Sequence, residues 1–261
     1  MTRHRVAVVT GAARGIGAAT VRRLARDGWA VIAVDRCADD PEVPYPLAAP
    51  RQLDLLGEEF PRVRTVRADV RDAGALRGAV ELAESEFGGL DAAVGAAAVI
   101  LGGGPVWEQS DTQWRTLLDV DVLGVAHLAR AAVPALLRRP RPRHGRFVAL
   151  ASAAAHHGLW GLGAYCAAKH AVVGLVRALA CDLRDTGVTA VAVSPGATRT
   201  DMLRATAGLY GLPDVERLAE RQLTGRPLEP EETAAVVAWA CSAESGAVTG
   251  SVVHADGGFT A

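Results

Sequence analysis

Tyr165 and Lys169 are the two residues of this sequence whose types and spacing most directly suggest chemistry. They stand four positions apart in the segment GAYCAAKHAVVG, and in a helix this spacing places both side chains on one face. A phenol with its ordinary pKa of about 10 is a poor base at neutral pH. A nearby ammonium group favours the phenolate and lowers that pKa. The pair therefore predicts a tyrosine that is prepared to act as a base.

Ser152 strengthens this interpretation. It stands 13 residues before Tyr165, at the end of the predicted strand Arg146–Ser152, where its hydroxyl could hold a substrate oxygen. A tyrosine and a lysine four positions apart are common on ordinary helices, so the pair alone carries little weight. Together with a serine at a strand end, the pattern favours a reactive site over coincidence.

A glycine-rich turn near the start of the chain predicts a phosphate site. The segment VAVVTGAARGIG leads from a strand directly into a helix, where free amide groups and the helix dipole face one anionic ligand. Gly11 permits the tight turn, Gly15 the close approach of a pyrophosphate, and Gly17 close packing of the helix on the strand. The spacing TGxxxGxG differs from the GxGxxG of most dinucleotide folds, and a purely structural turn is the alternative.

Acidic residues at two strand ends indicate where the rest of a dinucleotide would lie. Asp35 closes the second strand and could accept hydrogen bonds from both ribose hydroxyls while repelling a 2′-phosphate. This favours NAD, although Arg36 could instead hold the extra phosphate of NADP, and a strand-end turn is the structural alternative. Asp69 and Val70 follow the third strand and either contact the adenine edge or begin the next helix as its N-cap.

The composition excludes several classes of protein. The chain has 261 residues, a formal net charge of −1 and a hydrophobic fraction of 50%, which suits one globular domain and argues against nucleic-acid binding. We see no apolar run near the length of about 20 residues that a membrane helix needs, and no room for a signal peptide before the first strand. The four cysteines and seven histidines lack metal-ligand spacing. We therefore expect a cytoplasmic protein without a metal.

Strand-like and helix-like segments alternate along the whole chain. This order predicts an α/β fold, with a parallel sheet, right-handed crossovers and helices on both faces, in a single domain 1–261. The predicted strands are Arg5–Thr10, Ala30–Asp35, Val63–Ala68, Asp91–Gly95, Arg146–Ser152, Thr189–Ser194 and Ser251–Ala255. The predicted helices include Ala18–Asp27, Ala73–Phe87, Thr112–Arg138, Gly163–Arg184 and Glu231–Ala243.

Three stretches interrupt this alternation. Asp39–Pro50 carries four prolines, and we interpret residues 35–62 as an inserted loop and helix near the adenosine site. Residues 197–230 follow a strand end and are interpreted as a lid over the substrate, since open α/β sheets bind their ligands at that edge. Arg138–Arg143 is a basic, proline-broken stretch that we interpret as a solvated linker.

Taken together, these motifs resemble the short-chain dehydrogenase/reductase family. The resemblance rests on Thr10-Gly11-x-x-x-Gly15-x-Gly17, Ser152, Tyr165-x-x-x-Lys169 and Pro195-Gly196-x-x-x-Thr200, and it covers essentially the whole chain. It implies a Rossmann-type, doubly wound sheet of about seven strands and hydride transfer between a nicotinamide cofactor and an alcohol or ketone.

The resemblance also implies a role for each motif residue. Tyr165 would be the general acid/base and Ser152 would stabilise the substrate oxygen. Lys169 would bind the nicotinamide ribose and lower the pKa of the tyrosine. The implied cofactor contacts are Thr10, Gly11, Arg14, Gly15, Ile16, Gly17, Asp35, Arg36, Asp69, Val70, Gly95, Ala96, Ala97, Tyr165, Lys169, Pro195, Gly196, Thr198 and Thr200.

Two positions depart from the family pattern. The segment Gly95-Ala96-Ala97-Ala98 stands where the family usually has Asn-Asn-Ala-Gly, so polar contacts are lost there. Asp121, three positions before Gly124, stands where the family has the asparagine that holds a relay water through its main chain. We count Asp121 among the catalytic candidates. Its carboxylate adds a possible charge near Lys169 and is expected to move the pH dependence.

The insertion resembles a narrower group. The run DRCADDPEVPYPLAAP is similar to the insertion of short-chain dehydrogenases associated with the redox peptide mycofactocin, including members like carveol dehydrogenase. In that group the insertion is thought to cover NAD, which then stays bound and is reoxidised in place. An ordinary surface insertion is the alternative. A third reading, a dinucleotide-binding sensor or scaffold, is disfavoured by the intact Ser152, Tyr165 and Lys169.

The expected substrate is a small hydrophobic secondary alcohol or ketone. The segments Ile100–Trp107, Ala153–Trp160 and Met202–Leu212 should form a mainly apolar wall. The candidate substrate contacts are Leu101, Ala153, Leu159, Trp160, Met202 and Leu203, and Trp107 and Tyr210 also belong to the wall. His156 and His157 contact either the substrate or only solvent. The family resemblance further implies a homo-oligomer, a tetramer or a dimer.

Overall fold

The computed structural model describes residues 4–261, which form a seven-stranded parallel sheet with helices on both faces. The sheet order is β3-β2-β1-β4-β5-β6-β7. The strands are β1 Val6–Thr10, β2 Ala30–Asp35, β3 Val63–Arg67, β4 Ala92–Gly95, β5 Gly145–Leu150, β6 Val188–Pro195 and β7 Val252–Ala255. The helices are α1 Gly15–Arg26, α2 Pro50–Glu59, α3 Ala73–Phe87, α4 Asp111–Leu117, α5 Gly124–Arg138, α6 Gly163–Asp182, α7 Asp201–Leu209 and α8 Pro230–Cys241.

Two apolar layers hold the sheet between the helices. Successive strand residues point to opposite faces, so Val8 of β1 belongs to the layer under α3, α5 and α6, whereas Val9 belongs to the layer under α1, α2 and α8. Both residues are fully buried. Burial on both faces explains why these strands are continuous apolar runs rather than alternating ones. The predicted doubly wound α/β fold is therefore confirmed.

The order of the strands in the sheet determines where a ligand site is expected. β1 pairs with β2 on one side and with β4 on the other, so the chain turns in opposite directions from the carboxyl ends of these neighbours. A crevice opens at such a switch point, and in open α/β sheets this crevice is where ligands bind. The glycine-rich turn after Thr10 and the loop after Gly95 lie side by side at that point.

The predicted helix Thr112–Arg138 is not a regular α-helix. α4 and α5 are joined through a π-helical turn, Leu118–Leu123, so the helical chain is continuous but locally widened. The hydrophobic period could not show this turn, because it changes the hydrogen-bond spacing and not the residue types. Such turns occur often at functional sites.

The Arg138–Arg143 stretch is more anchored than predicted. Arg139 is buried, and its guanidinium lies 2.8 Å from the Asp91 carboxylate and 3.1 Å from the carbonyl oxygen of Leu90. A planar guanidinium can bind a carboxylate and carbonyls at once, and this fixes the turn before β5. The interpretation as a wholly solvated linker is wrong at this residue.

Two helical stretches, Asp111–Arg138 and Gly163–Asp182, are long and apolar enough by length and composition to cross a membrane. This differs from the expectation that the chain has no such run. Both pack against the sheet through buried residues such as Leu128 and Val172. Length and composition alone therefore say little about a membrane here.

Candidate active site

One cavity of about 330 Å³ lies at the carboxyl edge of the sheet and brings most of the predicted site residues together. It runs from the glycine-rich turn, past the end of β5 and the start of α6, to α7. The predicted residues that line it are Gly11, Arg14, Gly15, Ile16, Gly17, Asp35, Arg36, Asp69, Val70, Ala96, Ala97, Ser152, Ala153, Leu159, Tyr165, Lys169, Pro195, Gly196, Thr198, Thr200, Met202 and Leu203.

Three of the proposed wall residues lie elsewhere. Leu101 is buried in the apolar layer under α6, so its side chain points into the core and not into the cavity. Trp107 and Trp160 point outward and are 81% and 69% exposed. The residues that precede Leu101 and Trp160 face the cavity instead, since Ile100 and Leu159 line it.

The wall of the cavity rests on three predicted site residues that lie outside it, Thr10, Gly95 and Asp121. The hydroxyl oxygen of Thr10 accepts hydrogen bonds from the amides of Ala96 and Ala97, at 3.2 and 3.4 Å. Gly95 faces Val125 and Leu128 of α5, and a Cβ atom at Gly95 would touch both side chains. None of these three residues lines the cavity, so the predicted cofactor contacts Thr10 and Gly95 and the catalytic candidate Asp121 shape its wall in this structure.

The predicted reactive residues meet where β5 ends and α6 begins. Ser152 follows β5, and its side chain accepts a hydrogen bond from the amide of Ala154 at 3.1 Å. Tyr165 lies in the first turn of α6 and Lys169 one turn later, both almost fully buried. The Nζ atom of Lys169 lies 5.6 Å from the centre of the Tyr165 ring and donates to the carbonyl oxygen of Leu150 at 3.4 Å.

Burial and neighbouring charges set the protonation of this group. Burial raises the pKa of the Tyr165 phenol; the charge of Lys169 opposes the shift and that of Asp121 adds to it. Burial alone would lower the pKa of Lys169, but attraction to Asp121 and Tyr165 outweighs it, so the net shift is upward. In this state the site therefore holds a protonated tyrosine and a charged lysine.

Asp121 lies in the π-helical turn and is fully buried. Its Oδ1 atom accepts a hydrogen bond from the amide of Val99 at 2.9 Å, and its Oδ2 atom lies 3.1 Å from Nζ of Lys169. Burial raises the pKa of this carboxyl group, and the charge of Lys169 opposes the shift. The carboxyl group that was predicted to add a charge is thus in direct contact with Lys169.

The loop after β4 keeps its shape without the asparagines that the family pattern would supply. Thr10 fixes its first amides and Asp121 fixes the amide of Val99. The next amide, that of Ile100, donates to the hydroxyl oxygen of Tyr45 at 2.9 Å. Sequence reasoning missed Tyr45, although a lone aromatic residue within a proline-rich insertion was a usable signal.

The glycine-rich turn suits a pyrophosphate. Gly11 has a φ of 65°, and a Cβ atom there would lie 2.6 Å from the backbone nitrogen of Ala97. A Cβ atom at Gly17 would lie 1.9 Å from the carbonyl oxygen of Gly11. Among residues 4–261 no side chain caps the start of α1 at Arg14, so its first amides face the cavity as donors for an anion.

At the end of the cavity where adenosine is expected, acidic side chains outnumber the basic side chains that are free to bind a ligand. Asp35 accepts hydrogen bonds from the amides of Ala13 and Cys37, both at 3.0 Å, and its carboxylate also lines the cavity. Arg36 hydrogen-bonds to Asp40 and lies 3.5 Å from Asp69. Because Arg36 is already engaged with two carboxylates, it is poorly placed to bind a 2′-phosphate. This arrangement suits NAD.

Asp69 does not cap the next helix. Its carboxylate binds the guanidinium of Arg71 at 2.6 Å, while α3 begins after Asp72, whose side chain accepts from the amides of Gly74 and Ala75. Of the two roles left open for Asp69, the helix cap is therefore excluded. Asp69 and Val70 both line the cavity.

The inserted segment covers one side of the cavity, and Leu47 and Ala48 belong to the cavity wall. The guanidinium of Arg14 donates to the carbonyl oxygen of Pro46 at 2.7 Å and lies 3.2 Å from the carboxylate of Asp201. Arg14 therefore joins the inserted segment to the start of α7.

α7 covers the opposite side. Its N-cap Thr200 accepts from the amide of Leu203 at 3.2 Å. Beyond its last turn, the hydroxyl of Tyr210 donates to the carbonyl oxygen of Trp160 at 2.7 Å, and the two rings stack with their centres 6.0 Å apart. These contacts hold α7 against the loop after β5.

The two histidines lie behind the cavity. The Nε2 atom of His156 lies 2.9 Å from the hydroxyl oxygen of Ser194, and His157 packs edge-on against Phe259. Neither residue lines the cavity. The described residues contain no group of three or more histidine, cysteine or acidic side chains that could hold a metal ion.

Comparisons with known proteins agree on one family. A family model described as enoyl-(acyl carrier protein) reductase matches residues 11–260. The chain is 39% identical to the short-chain reductase protein NovJ of Streptomyces niveus over 261 residues, covering 99% of this chain and 95% of that protein. It is 36% identical to a cis-4-hydroxycyclohexanecarboxylate dehydrogenase of Sinomonas cyclohexanicum over 262 residues, covering 99% and 97%.

A solved structure is similar over the whole fold. The crystal structure of carveol dehydrogenase from Mycobacterium avium in complex with NAD matches with a TM-score of 0.91 and 30% identity, covering 99% of this chain and 98% of that one. The predicted family, NAD cofactor and type of enzyme are thereby confirmed: the protein is an NAD-linked oxidoreductase that acts on CH–OH groups. The chain belongs to the short-chain dehydrogenase/reductase family.

Proposed function

We propose that this protein interconverts a small hydrophobic secondary alcohol and the corresponding ketone, with Tyr165 as the general acid/base. One observation carries the proposal: Ser152, Tyr165 and Lys169 line the same cavity as the glycine-rich turn and Asp35. The proton-transfer group and the dinucleotide contacts are thus held in one space, as hydride transfer requires.

Each residue then has a distinct task. Bound NAD supplies the hydride acceptor or donor. The hydroxyl groups of Ser152 and Tyr165 hold the substrate oxygen, and Tyr165 takes its proton during oxidation or returns it during reduction. Lys169 stays positively charged beside the phenol, where it stabilises the phenolate and is placed to bind the nicotinamide ribose.

The apolar wall favours a cyclic or similarly compact substrate. Leu159, Met202, Leu203 and Tyr210 line the cavity together with Ala153. They offer mainly hydrophobic surface beside few polar groups, which suits an alcohol that carries a hydrocarbon body. Two relatives described above are named for cyclic alcohols, which supports this substrate class.

The substitution Tyr165→Phe tests this proposal. It removes the hydroxyl and keeps the ring, so we expect NAD binding to persist while turnover of cyclic alcohols falls by about 10²-fold to 10⁴-fold. Binding is measured by fluorescence titration and turnover by the appearance of NADH. Tyr210→Phe, on the lid side of the same cavity, is the matched control and should keep most of its turnover. Near-normal turnover in Tyr165→Phe would refute the assignment.

A second candidate function has specific support. The inserted segment touches the cavity through Leu47 and Ala48 and is fastened by Arg14 and Tyr45. Such a cover favours a dehydrogenase whose NAD stays bound and is reoxidised by an external acceptor of the mycofactocin type.

The small molecules released from dialysed, denatured protein distinguish these functions by mass spectrometry. Stoichiometric NAD favours the retained cofactor, and assays should then contain an artificial electron acceptor. Empty protein favours ordinary exchange. Release of NADP would show that Arg36 outweighs Asp35 in cofactor choice.

We also propose a cytoplasmic homo-oligomer, a tetramer or a dimer, that binds neither nucleic acid nor membrane. The net charge of −1 gives no basis for phosphate-backbone binding. Leu118 and Leu123 beside α5, and Trp239 on α8, are large apolar side chains that remain exposed in one chain. Light scattering during size-exclusion chromatography measures the assembly, and a monomer would contradict it.

A further inference from the structure

The ion pair between Asp121 and Lys169 lies in the interior of the site. Asp121 is fully buried and Lys169 is 2% exposed, so solvent screens neither charge appreciably. The 3.1 Å between Oδ2 and Nζ makes the carboxylate a direct counter-ion of the ammonium. The other carboxylate oxygen is fixed by the amide of Val99, so the group cannot turn away without losing that hydrogen bond.

This contact changes the charge balance around Tyr165. With an uncharged residue at position 121, ionised Tyr165 and Lys169 would form a neutral pair. With Asp121 ionised, Lys169 is already neutralised, and the phenolate would add a second negative charge to a buried site. A like charge at short range disfavours ionisation, and burial strengthens the effect.

We propose that Asp121 is a positioning residue that acts through Lys169: its carboxylate holds the ammonium group in place and takes up charge that would otherwise stabilise the phenolate of Tyr165. Tyr165 would accordingly act as the base for alcohol oxidation only at a higher pH than in a variant that is uncharged at position 121. This inference rests on the proposed role of Tyr165.

The other groups that face this pair do not replace Asp121. From α6, the Cys166 thiol has its pKa raised by burial and stays neutral. From the inserted segment, burial likewise raises the pKa of Tyr45. Ser152, at the end of β5, offers only a hydroxyl. The charge of Arg14 acts on Tyr45 and lowers the pKa of that phenol. Among the described residues whose charge affects the pKa of Tyr165, Asp121 supplies the carboxylate.

The direct test is an ultraviolet titration of the tyrosines in cofactor-free protein. The chain has three tyrosines, so subtracting the titration of Tyr165→Phe isolates the phenol of Tyr165. Asp121→Asn keeps an oxygen for the Val99 amide and removes the charge. We expect the phenol of Tyr165 to ionise about one to three pH units lower in this variant. Asp119→Asn, at an exposed position of the same turn, is the matched control and should titrate as the wild type.

The pH profile of kcat/KM for alcohol oxidation gives the second measurement. We expect its acid limb to move to lower pH in Asp121→Asn by the same amount as the phenol. Asp121→Ala, which also loses the acceptor for Val99, should show the same shift with a lower melting temperature. A phenol that ionises at the same pH in wild type and Asp121→Asn would overturn the proposal.

The outcomes separate this inference from the proposed function. If Tyr165→Phe retains turnover, the general acid/base is wrong, whatever Asp121 does to the titration. If Tyr165→Phe is inactive and Asp121→Asn leaves both the titration and the acid limb unchanged, the proposed function stands and the role of Asp121 falls.

Discussion

The hydroxyl oxygen of Tyr45 accepts a hydrogen bond from the backbone amide of Ile100 at 2.9 Å. This contact ties the inserted segment to the loop after β4, which lines the cavity. The preceding amide, that of Val99, is held by Asp121. Two neighbouring amides of one loop thus connect the cover of the cofactor cavity and the buried ion pair of the site.

The first prediction concerns this connection. In Tyr45→Phe the amide of buried Ile100 loses its partner, and an unpaired buried amide costs about 1–3 kcal/mol. We expect the free energy of unfolding to fall by that amount and bound NADH to leave faster, as measured by denaturant titration and stopped-flow fluorescence. Tyr210→Phe, which loses a hydroxyl on the opposite wall, is the control. Unchanged NADH release would mean that the inserted segment does not retain the cofactor.

The second prediction concerns cofactor choice. Asp35→Asn removes the negative charge that faces the adenosine ribose, and its one oxygen can still accept from the amide of Ala13 or from that of Cys37, but not from both. We expect NAD affinity to fall about tenfold, equivalent to about 1.4 kcal/mol, and the preference for NAD over NADP to shrink. Fluorescence titration with both cofactors measures this. Asp54→Asn, whose carboxylate pairs with Arg67 away from the cavity, should leave both affinities unchanged. An unaltered NAD-to-NADP ratio in Asp35→Asn would contradict the role of Asp35.

The third prediction compares two helical glycines. In Gly17→Ala the new methyl group would meet the carbonyl oxygen of Gly11, so α1 must move away from the turn. We expect a loss of about 1–3 kcal/mol in the free energy of unfolding and weaker NAD binding. In Gly174→Ala on α6 the new methyl group would meet no atom within 4 Å apart from its own chain neighbours and helix backbone, and we expect a gain of about 0.5–1 kcal/mol. Equal stability of the two variants, in thermal melts and denaturant titrations, would argue against the close approach at Gly17.

The fourth prediction concerns acid stability. Asp40 accepts hydrogen bonds from Arg36 and from the amide of Glu42 and lies 3.0 Å from Arg71. Burial opposes ionisation of Asp40, but these partners outweigh it and lower the pKa of its carboxyl below the ordinary 3.8. The charged form therefore stabilises the fold above pH 3.8, and this stabilisation is lost as the pH falls through the lower pKa of the folded state.

Asp40→Asn tests the sign of this effect. We expect it to be about 1–3 kcal/mol less stable than the wild type at pH 7, with the difference shrinking below pH 3.8. Denaturant titrations at several pH values measure the difference. Asp214→Asn, at an exposed position whose carboxylate contacts only nearby backbone amides, is the control. A difference that stays constant down to the acid transition would contradict the assignment.

Much of the fold followed from the sequence because buried parallel strands leave a strong signal. All seven predicted strands agree with the structure to within about two residues, since most of them are continuous apolar runs bounded by polar or glycine residues. The π-helical turn at Leu118–Leu123 left no such signal. α7 was also not predicted as a helix, because the glycines and the proline after it obscured its period.

The site could be predicted where its residues lie close together in the sequence. Tyr165 and Lys169 share one helix face, so four positions of sequence determine their geometry. Contacts between distant segments were not accessible in this way. The sequence could not show that Tyr45 reaches Ile100, because an inserted loop has no periodic pattern from which its path over the fold can be predicted. The wrong placement of Leu101 and Trp160 has the same cause, since in an irregular loop residue type does not determine whether a side chain points inward.

The π-helical turn has a consequence for how mutations should be designed. Each residue of an α-helix advances the side-chain direction by about 100°, and a π turn uses more residues for each rotation. Deleting one residue within Leu118–Leu123 would restore regular winding with little change in composition. It would also rotate Asp121 out of phase with α6 and separate its carboxylate from Lys169. The position of the Asp121 carboxylate thus depends on how far the π-helical turn rotates α5 relative to α4. Substitutions keep the number of residues in the turn and would not test this dependence.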